Sequence, residues 1–195
     1  MNIAVFVSGN GTNLQAIIDA ISRGEINAKV SLVVCNNEAA YALTRAKKAG
    51  IETFVKSHKG FKTRADYDRE ITKELKKRNI ELVVLAGFMR LLSPNFVKKY
   101  RNKIINIHPS LLPAFKGTHA IKDAFESGEK TTGVTVHFVD EELDHGPIIL
   151  QEKVNIEKND TLETLEEKIH KVEHKLYPKA IKLFVRRQSD NVNED

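Results

Sequence analysis

Apolar residues in this chain form short runs that alternate with segments of helical periodicity. The first run covers residues 2–7, and after a glycine-rich turn Leu14, Ile17, Ile18 and Ile21 recur at helical spacing. The same alternation continues along the chain. It predicts strands over residues 2–7, 29–35, 51–55, 81–86, 104–108, 132–139 and 147–154, and helices over residues 14–21, 38–49, 62–79, 94 onwards, 120–127 and 161–187.

This order of elements indicates an α/β fold with a Rossmann-like, mostly parallel twisted sheet and helices on both faces. Residues 82–85 are all apolar, as expected for a parallel strand that is covered on both faces. The length of 195 residues fits one domain. We expect that domain over residues 1–188, followed by a polar tail over residues 189–195. Pro178 is expected to interrupt or kink the last helix.

Composition and charge exclude several classes of protein. The net charge is +5, but the lysines are spread among acidic residues without a basic stripe that carries aromatic residues, so we expect no nucleic-acid partner. No apolar run approaches the ~20 residues that cross a bilayer, so we expect no membrane partner. The single cysteine, Cys35, lies in an apolar strand and predicts a reduced core thiol, which fits a cytoplasmic location.

Two polar side chains interrupt the apolar strand that precedes Pro109. Asn106 and His108 are two residues apart and therefore point to the same face of that strand. Pro109 ends the strand, which leaves His108 at its carboxyl end, where open α/β sheets bind their ligands. This stretch is the predicted chemical centre of an enzyme.

The acidic loop after residues 132–139 offers a partner for this histidine. Asp144 is the candidate because Gly146 and Pro147 fix a turn directly behind it, and a nearby carboxylate favours the charged form of a histidine. An amide, a histidine and a carboxylate, without a serine or cysteine nucleophile in evidence, suggest direct acyl transfer to an incoming amine. A histidine on a buried strand can also be purely structural, and the pattern alone leaves this open.

The glycine-rich turn at residues 9–13 predicts a site for one phosphate. It is not a dinucleotide fingerprint, because Leu14 stands at the third glycine position and the second strand ends without an acidic residue. The backbone N–H groups at a helix N-terminus, with Thr12 and Asn13 as further donors, suit a phosphate. Alternatively, Thr12 or Asn13 only caps the helix.

Four motifs together resemble the phosphoribosylglycinamide formyltransferase family: SGNGTNLQA at residues 8–16, LAGFMR at 85–90, NIHPSLLP at 106–113 and DHGP at 144–147. The resemblance extends from residue 1 to about residue 178. It implies the single-domain formyltransferase fold, with the catalytic domain over residues 1–188. The implied reaction transfers a formyl group from 10-formyltetrahydrofolate, as co-substrate, to the amine of phosphoribosylglycinamide through a tetrahedral intermediate. No metal is implied, and the protein is expected to be a monomer or homodimer.

The resemblance also implies roles for individual residues. Asn106 and protonated His108 would stabilise the oxyanion, and Asp144 would keep His108 protonated and help to move protons through water. The implied substrate-binding residues are Gly11, Thr12, Asn13, Gly87, Pro109 and Glu173. The implied folate-binding residues are Arg64, Met89, Arg90, Leu91, Leu92, Asn106, Val139, Asp140 and Asp144.

Several of these residues have simpler interpretations. Met89, Leu91 and Leu92 would otherwise be assigned to the core or to a helix entry, and Arg64 to an exposed helix surface. We predict His137 to be a packed histidine and leave it out of the site. His170 and His174 lie four residues apart on one helix, but without a third ligand they predict a surface pair and not a metal site.

Other functions remain as alternatives. Methionyl-tRNA formyltransferase shares the core motif but needs a further carboxy-terminal domain, and formyltetrahydrofolate deformylase normally carries an amino-terminal regulatory domain. We expect neither domain in these 195 residues. A non-catalytic nucleotide-binding protein with a Rossmann-like fold would explain residues 9–13 but would leave Asn106, His108 and Asp144 without a purpose.

Overall fold

Strands and helices alternate over residues 1–192, the part of the chain that the computed structural model describes. The elements are β1 (Asn2–Val7), α1 (Thr12–Ser22), β2 (Lys29–Cys35), α2 (Tyr41–Lys48), β3 (Thr53–Val55), α3 (Arg64–Lys77), β4 (Leu82–Leu85), α4 (Pro94–Lys99), β5 (Ile104–His108), α5 (Ala120–Glu126), β6 (Thr131–Phe138), β7 (Ile148–Asn155) and α6 (Leu162–Val192).

The strands form one seven-stranded sheet in the order β3-β2-β1-β4-β5-β6-β7. Strands β1 to β5 pair in parallel, whereas β6 and β7 are antiparallel additions at one edge. The chain reverses its direction of winding between β1 and β4, and this switch point is where such sheets bind ligands. The predicted mostly parallel α/β sheet is therefore confirmed.

The two faces of the sheet belong to two separate hydrophobic clusters, as the alternation along β1 illustrates. Ile3, Val5 and Val7 pack with α1, α2 and α6, whereas Ala4 and Phe6 pack with α3 and α4. Helices on both faces bury the central strands completely, which explains the uninterrupted apolar sequence of β4.

Helix α6 contains the proline at which the sequence predicts an interruption or a kink. Pro178 lies inside it and does not interrupt it. The proline removes one backbone hydrogen bond, but Ile181, Phe184 and Val185 beyond it are buried against the sheet and hold the second half of the helix in place. The helix continues to Val192, so the first part of the expected tail is helical; residues 193–195 lie outside the described residues.

Ser93 caps α4 by accepting a hydrogen bond from the Phe96 N–H at 3.4 Å, with Pro94 in the first turn.

Within residues 1–192, no helix combines the length and the apolar character that crossing a bilayer requires.

Candidate active site

The polar face of β5 meets the polar face of β6. Asn106 and His108 share the strand face of Ile104, which is the face that α3 and α4 cover. In the antiparallel pairing of β5 with β6, Asn106 lies opposite His137 and His108 lies opposite Thr135. Residues directly opposite each other in such a pair bring their side chains within contact distance. Four polar side chains therefore adjoin one another at the carboxyl end of β5.

Asp144 completes this group from the loop between β6 and β7. Its Oδ2 is 3.5 Å from Nδ1 of His108 and accepts a hydrogen bond from the Gly117 N–H at 2.9 Å. Asp144 itself has a left-handed backbone, with φ of 47°. Gly146 packs so tightly against the carbonyl of Phe138 that a side chain there would overlap it. The loop is thus folded around the carboxylate, and sequence reasoning identified its turn.

His108 is almost completely buried and both of its ring nitrogens face protein acceptors. Nε2 lies 2.8 Å from the carbonyl oxygen of Phe115, and Nδ1 faces Asp144. A histidine placed between a carbonyl and a carboxylate can donate from both nitrogens, which it does only when protonated. The arrangement accommodates the imidazolium form.

His137 contacts Asn106 and belongs to the same group of side chains, although it was predicted to be a packed histidine outside the site. Burial lowers its pKa, against the opposing effects of the Phe138 carbonyl and Asp144, so the ring is neutral near pH 7. Its Nδ1–H donates to the Phe138 carbonyl at 2.8 Å, which leaves Nε2 as an acceptor for Nδ2 of Asn106 at 3.2 Å. The second amide N–H of Asn106 then has no partner among the described residues. The register of β5 with β6 is the signal that would have identified this residue.

A hydrogen-bond network fixes the turn that follows His108. The Thr135 hydroxyl donates to the carbonyl of Ser110 at 2.6 Å and accepts from the Leu112 N–H at 3.1 Å. The Gln151 side-chain amide donates to Thr135 at 2.8 Å and to the Leu112 carbonyl at 2.9 Å. Strands β6 and β7 therefore hold the start of the loop after β5.

The glycine loop at residues 9–11 leads directly into α1. Gly11 is the N-cap residue of α1, with φ of 75°, and no side chain caps the helix. The alternative in which Thr12 or Asn13 serves only as the cap does not apply to this geometry. Instead, the Asn13 side-chain amide donates to Glu173 at 3.0 Å, and its buried Oδ1 has no partner among the described residues.

Glu173 connects this loop to α6. The carboxylate is buried, and burial raises its pKa against the opposing effect of the Asn13 hydrogen bond. One turn further along α6, the Tyr177 hydroxyl is within hydrogen-bonding distance of the carbonyls of Leu85 and Ile105, at 2.9 and 3.1 Å. These contacts fix α6 beneath the carboxyl ends of β4 and β5. Glu173 was predicted through the family resemblance alone.

The turns after β4 and β5 also reach this edge. Gly87 has φ of 77°, and its carbonyl accepts a hydrogen bond from the Ser8 N–H at 3.1 Å. The Met89 N–H donates to the Ser8 hydroxyl at 2.8 Å, so the ends of β1 and β4 are joined. Pro109 follows directly on His108 and is partly exposed.

The residues expected at the folate site divide into exposed and buried ones. Met89 and Leu91 are 66% and 53% exposed, which does not fit the alternative of core residues, whereas Leu92 is buried. The Arg64 guanidinium donates to the Leu92 carbonyl at 3.4 Å. Arg64 at the start of α3 is therefore joined to the turn that ends at Leu92.

Arg90 and Val139 both contact the hydrophobic cluster on the α3 and α4 face of the sheet, and Asp140 follows Val139 in the chain. Arg90 stacks on the ring of Tyr67, 5.1 Å from its centroid. The Val139 N–H donates to the Ile104 carbonyl at 3.0 Å, at the end of β6. Burial opposes ionisation of Asp140, but its hydrogen bonds with His145 and the Glu142 N–H together lower its pKa.

His170 and His174 form a stacked pair on α6. The rings of His170 and His174 are stacked with centroids 6.4 Å apart. Among the residues that the structure describes, no cluster of three or more potential metal ligands occurs. The observed stacking fits a pair of neighbouring side chains on one helix face.

Comparisons with known proteins extend over nearly the whole chain. The family model described as formyl transferase matches residues 1–181. A phosphoribosylglycinamide formyltransferase of Bacillus subtilis (strain 168) is 45% identical over 179 residues, which are 92% of this chain and 92% of that protein. The crystal structure of glycinamide ribonucleotide transformylase 1 from Geobacillus kaustophilus has a TM-score of 0.92 and 48% identity, covering 94% of this chain and 98% of that one.

Some longer relatives contain a segment that is similar to nearly the whole of this chain. The trifunctional purine biosynthetic protein adenosine-3 of Drosophila melanogaster is 49% identical over 185 residues, 94% of this chain. The chain spans only 13–18% of the length of the trifunctional relatives from insects and humans that it matches.

Proposed function

The chain belongs to the formyl transferase family, and we propose that it transfers the formyl group of 10-formyltetrahydrofolate to the amine of phosphoribosylglycinamide. The products are N-formyl phosphoribosylglycinamide and tetrahydrofolate, in de novo purine (IMP) biosynthesis. The observation that carries this proposal is the buried contact of His108 with Asp144, beside an Asn106 amide that retains one free N–H. The single-function relative from Bacillus subtilis supports the choice of acceptor.

The proposed reaction is a direct attack. The amine nitrogen of the substrate bonds to the formyl carbon, and the formyl oxygen becomes negatively charged in a tetrahedral intermediate. The free N–H of Asn106 and an N–H of protonated His108 stabilise that oxygen. Collapse of the intermediate breaks the bond between the carbon and N10 of the folate, which takes up a proton as the former amine loses one.

Protonated His108 needs one of its N–H groups for the oxyanion. Its Nδ1 faces Asp144, so the group that is available is Nε2–H, which now contacts the Phe115 carbonyl. We infer that the substrate oxygen replaces this carbonyl as the hydrogen-bond partner of Nε2–H when the complex forms. Asp144 stabilises the imidazolium and, through water, accepts the proton that the amine releases.

The two substrates are assigned to the two sides of this centre. The backbone N–H groups and side chains of residues 11–13 hold the phosphate, which a helix N-terminus favours. Gly87, Pro109 and Glu173 line the remainder of the ribonucleotide site. The folate is held by Arg64, residues 89–92, Asn106, Val139, Asp140 and Asp144. The reaction as proposed uses no metal.

A spectrophotometric assay tests the proposal. The purified protein is mixed with 10-formyldideazafolate or the natural donor, with and without phosphoribosylglycinamide, and release of the deformylated folate is followed. We expect consumption of the donor only when the ribonucleotide is present. Consumption that does not depend on the ribonucleotide would identify water as the acceptor and indicate a deformylase. No turnover with either acceptor would contradict the enzymatic proposal.

We also propose a cytoplasmic location. The one cysteine, Cys35, is buried as a free thiol, and burial raises its pKa. A protein without disulfides fits a reducing compartment.

A further inference from the structure

The loop that precedes α1 rests on α2. The Ala42 N–H donates to the Gly9 carbonyl at 3.1 Å. Gly11 packs against Ala42 so closely that a Cβ on the glycine would lie 2.6 Å from the Cβ of Ala42. Because Gly11 also has a left-handed backbone, no other residue fits at this position without displacing the loop. The first turn of α2 thus determines the path of residues 9–11.

Arg45, one turn along α2 from Tyr41, holds the same loop by two hydrogen bonds to one residue. Its Nε–H donates to the backbone carbonyl of Asn10 at 2.9 Å, and Nη2 donates to the Asn10 side-chain oxygen at 2.8 Å. Both the backbone and the side chain of Asn10 are therefore fixed. Only the planar guanidinium group offers two donors in this geometry; a lysine ammonium group cannot reproduce it.

The guanidinium group of Arg45 is itself held in place. It lies over the ring of Tyr41, 4.9 Å from the centroid, and Nη1 reaches the Gln15 side-chain oxygen at 3.4 Å. Together with the two hydrogen bonds to Asn10, the contact with Gln15 uses three of the five N–H groups of Arg45. A side chain restrained on several sides loses little further freedom when a ligand binds.

Arg45 also borders the space beside the glycine loop. A cleft of about 350 Å³ runs along α1, and Thr12, Gln15, Arg45 and His174 are among the residues that line it. Burial lowers the pKa of His174, with the charges of His170 and Arg45 acting in the same direction, so this imidazole is neutral near pH 7. Arg45 is thus the cationic residue of α2 that lines the cleft together with Thr12, the first residue of α1.

We propose that Arg45 is a positioning residue for phosphate recognition. It holds residues 9–11 in the conformation that presents the N-terminus of α1, and it supplies a positive charge beside the bound phosphate. This inference rests on the proposed function, because it assigns the substrate phosphate to that loop. It predicts that Arg45 acts on the phosphate-dependent part of substrate use and not on the formyl transfer step.

Two substitutions separate the positioning contribution from the charge. Arg45→Lys keeps the charge and loses the two-point contact with Asn10, whereas Arg45→Gln loses both. Arg23→Gln is the matched control, because Arg23 lines the same cleft but pairs with Glu25 and makes no contact with the loop. Each protein is assayed with phosphoribosylglycinamide and with glycinamide riboside, which lacks the phosphate.

We expect Arg45→Lys to raise KM for phosphoribosylglycinamide about 10-fold and Arg45→Gln to raise it more, since charge-assisted hydrogen bonds are lost. The kcat, the KM for the folate and the kcat/KM for the riboside should stay close to those of the wild type, as should all values for Arg23→Gln. The preference for the phosphorylated substrate therefore falls only in the Arg45 variants.

Two results would overturn the assignment. If Arg45→Lys equals the wild type with both substrates, the contact with Asn10 does not position the loop. If the Arg45 variants lose activity equally with both substrates, the residue stabilises the fold and not phosphate recognition. If Arg45→Gln fails to fold, the kinetics of Arg45→Lys with the two substrates still test whether Arg45 positions the loop. A wild type without activity on phosphoribosylglycinamide would instead contradict the proposed function.

Discussion

Asn106 and His137 face each other across the β5–β6 pair, with Nδ2 of Asn106 3.2 Å from Nε2 of His137. Because His137 uses Nδ1–H for the Phe138 carbonyl, Nε2 can only accept, and the amide group of Asn106 must turn its NH₂ toward it. The contact therefore determines which end of the Asn106 amide faces the site. In the proposed reaction, the remaining N–H of this NH₂ group is the donor toward the developing oxyanion.

We predict that His137→Leu lowers kcat about 10-fold with little change in either KM, because Asn106 loses the acceptor that orients it. Steady-state kinetics with both substrates would measure this. His119→Ala serves as the control, since His119 is exposed at the start of α5 and does not contact Asn106. Unchanged kcat in His137→Leu would show that the amide is oriented by other means.

The same relationship explains what the sequence could and could not predict at the site. Asn106 and His108 could be placed on one strand face because the side-chain period of a strand is two, a local property. The inclusion of His137 depends on the register of β5 with β6, which is a pairing of distant segments. Its own strand shows only that it points away from Val134 and Val136.

The fold shows the same division between local and distant causes. The bounds of β1 and β2 agree with their apolar runs. At Pro178 the sequence could not decide between an interruption and a kink of the helix, because the continuity of α6 depends on Ile181 and Phe184 packing against the sheet, which outweighs the lost backbone hydrogen bond. A local rule for proline cannot include that packing.

His108→Ala should lower kcat by about 100- to 1000-fold while leaving the binding of phosphoribosylglycinamide nearly unchanged, because the lost donor acts on charge that develops in the transition state. Single-turnover kinetics and calorimetric titration with the ribonucleotide separate the two effects. A variant that binds the ribonucleotide weakly would show that His108 holds the substrate and not the oxyanion.

Asp144→Asn should lower kcat and alter its dependence on pH, because the amide no longer stabilises the imidazolium 3.5 Å away. The pH–rate profile of kcat between pH 5 and 9 is the measurement. The Gly117 N–H can still donate to the remaining amide oxygen, so the loop should stay folded. Near-normal activity with an unshifted profile would refute the role proposed for Asp144.

Gly146→Ala tests the fold of the loop that carries Asp144. The new methyl group would overlap the Phe138 carbonyl, so we predict a loss of unfolding free energy of about 1–3 kcal/mol and a lower kcat, as the loop shifts. Urea denaturation and the formyl transfer assay measure both. Gly128→Ala is the comparison, because its Cβ would meet open space and only the left-handed backbone is strained. A Gly146→Ala protein that is as stable and as active as the wild type would contradict the packing argument.

Asp68 provides a prediction for the dependence of stability on pH. This buried residue of α3 accepts a hydrogen bond from the Ser93 N–H at 2.6 Å. Burial raises its pKa above the ordinary value of 3.8, against the opposing effects of Ser93, Arg90 and Arg64. A raised pKa in the folded state means that its contribution to stability is fully present below pH 3.8 and is lost as the pH rises through the folded value.

Asp68→Asn should therefore gain stability relative to the wild type as the pH increases from about 4 to 7, because the asparagine stays neutral and its oxygen can still accept from Ser93. Chemical denaturation of both proteins at several pH values gives this difference. Asp66→Asn is the matched control on the same helix, where the carboxylate is exposed and accepts from the Thr63 hydroxyl at 2.8 Å. A stability difference between Asp68→Asn and the wild type that is constant with pH would mean that burial does not disfavour the charge of Asp68, and that Arg64 and Arg90 compensate for it fully.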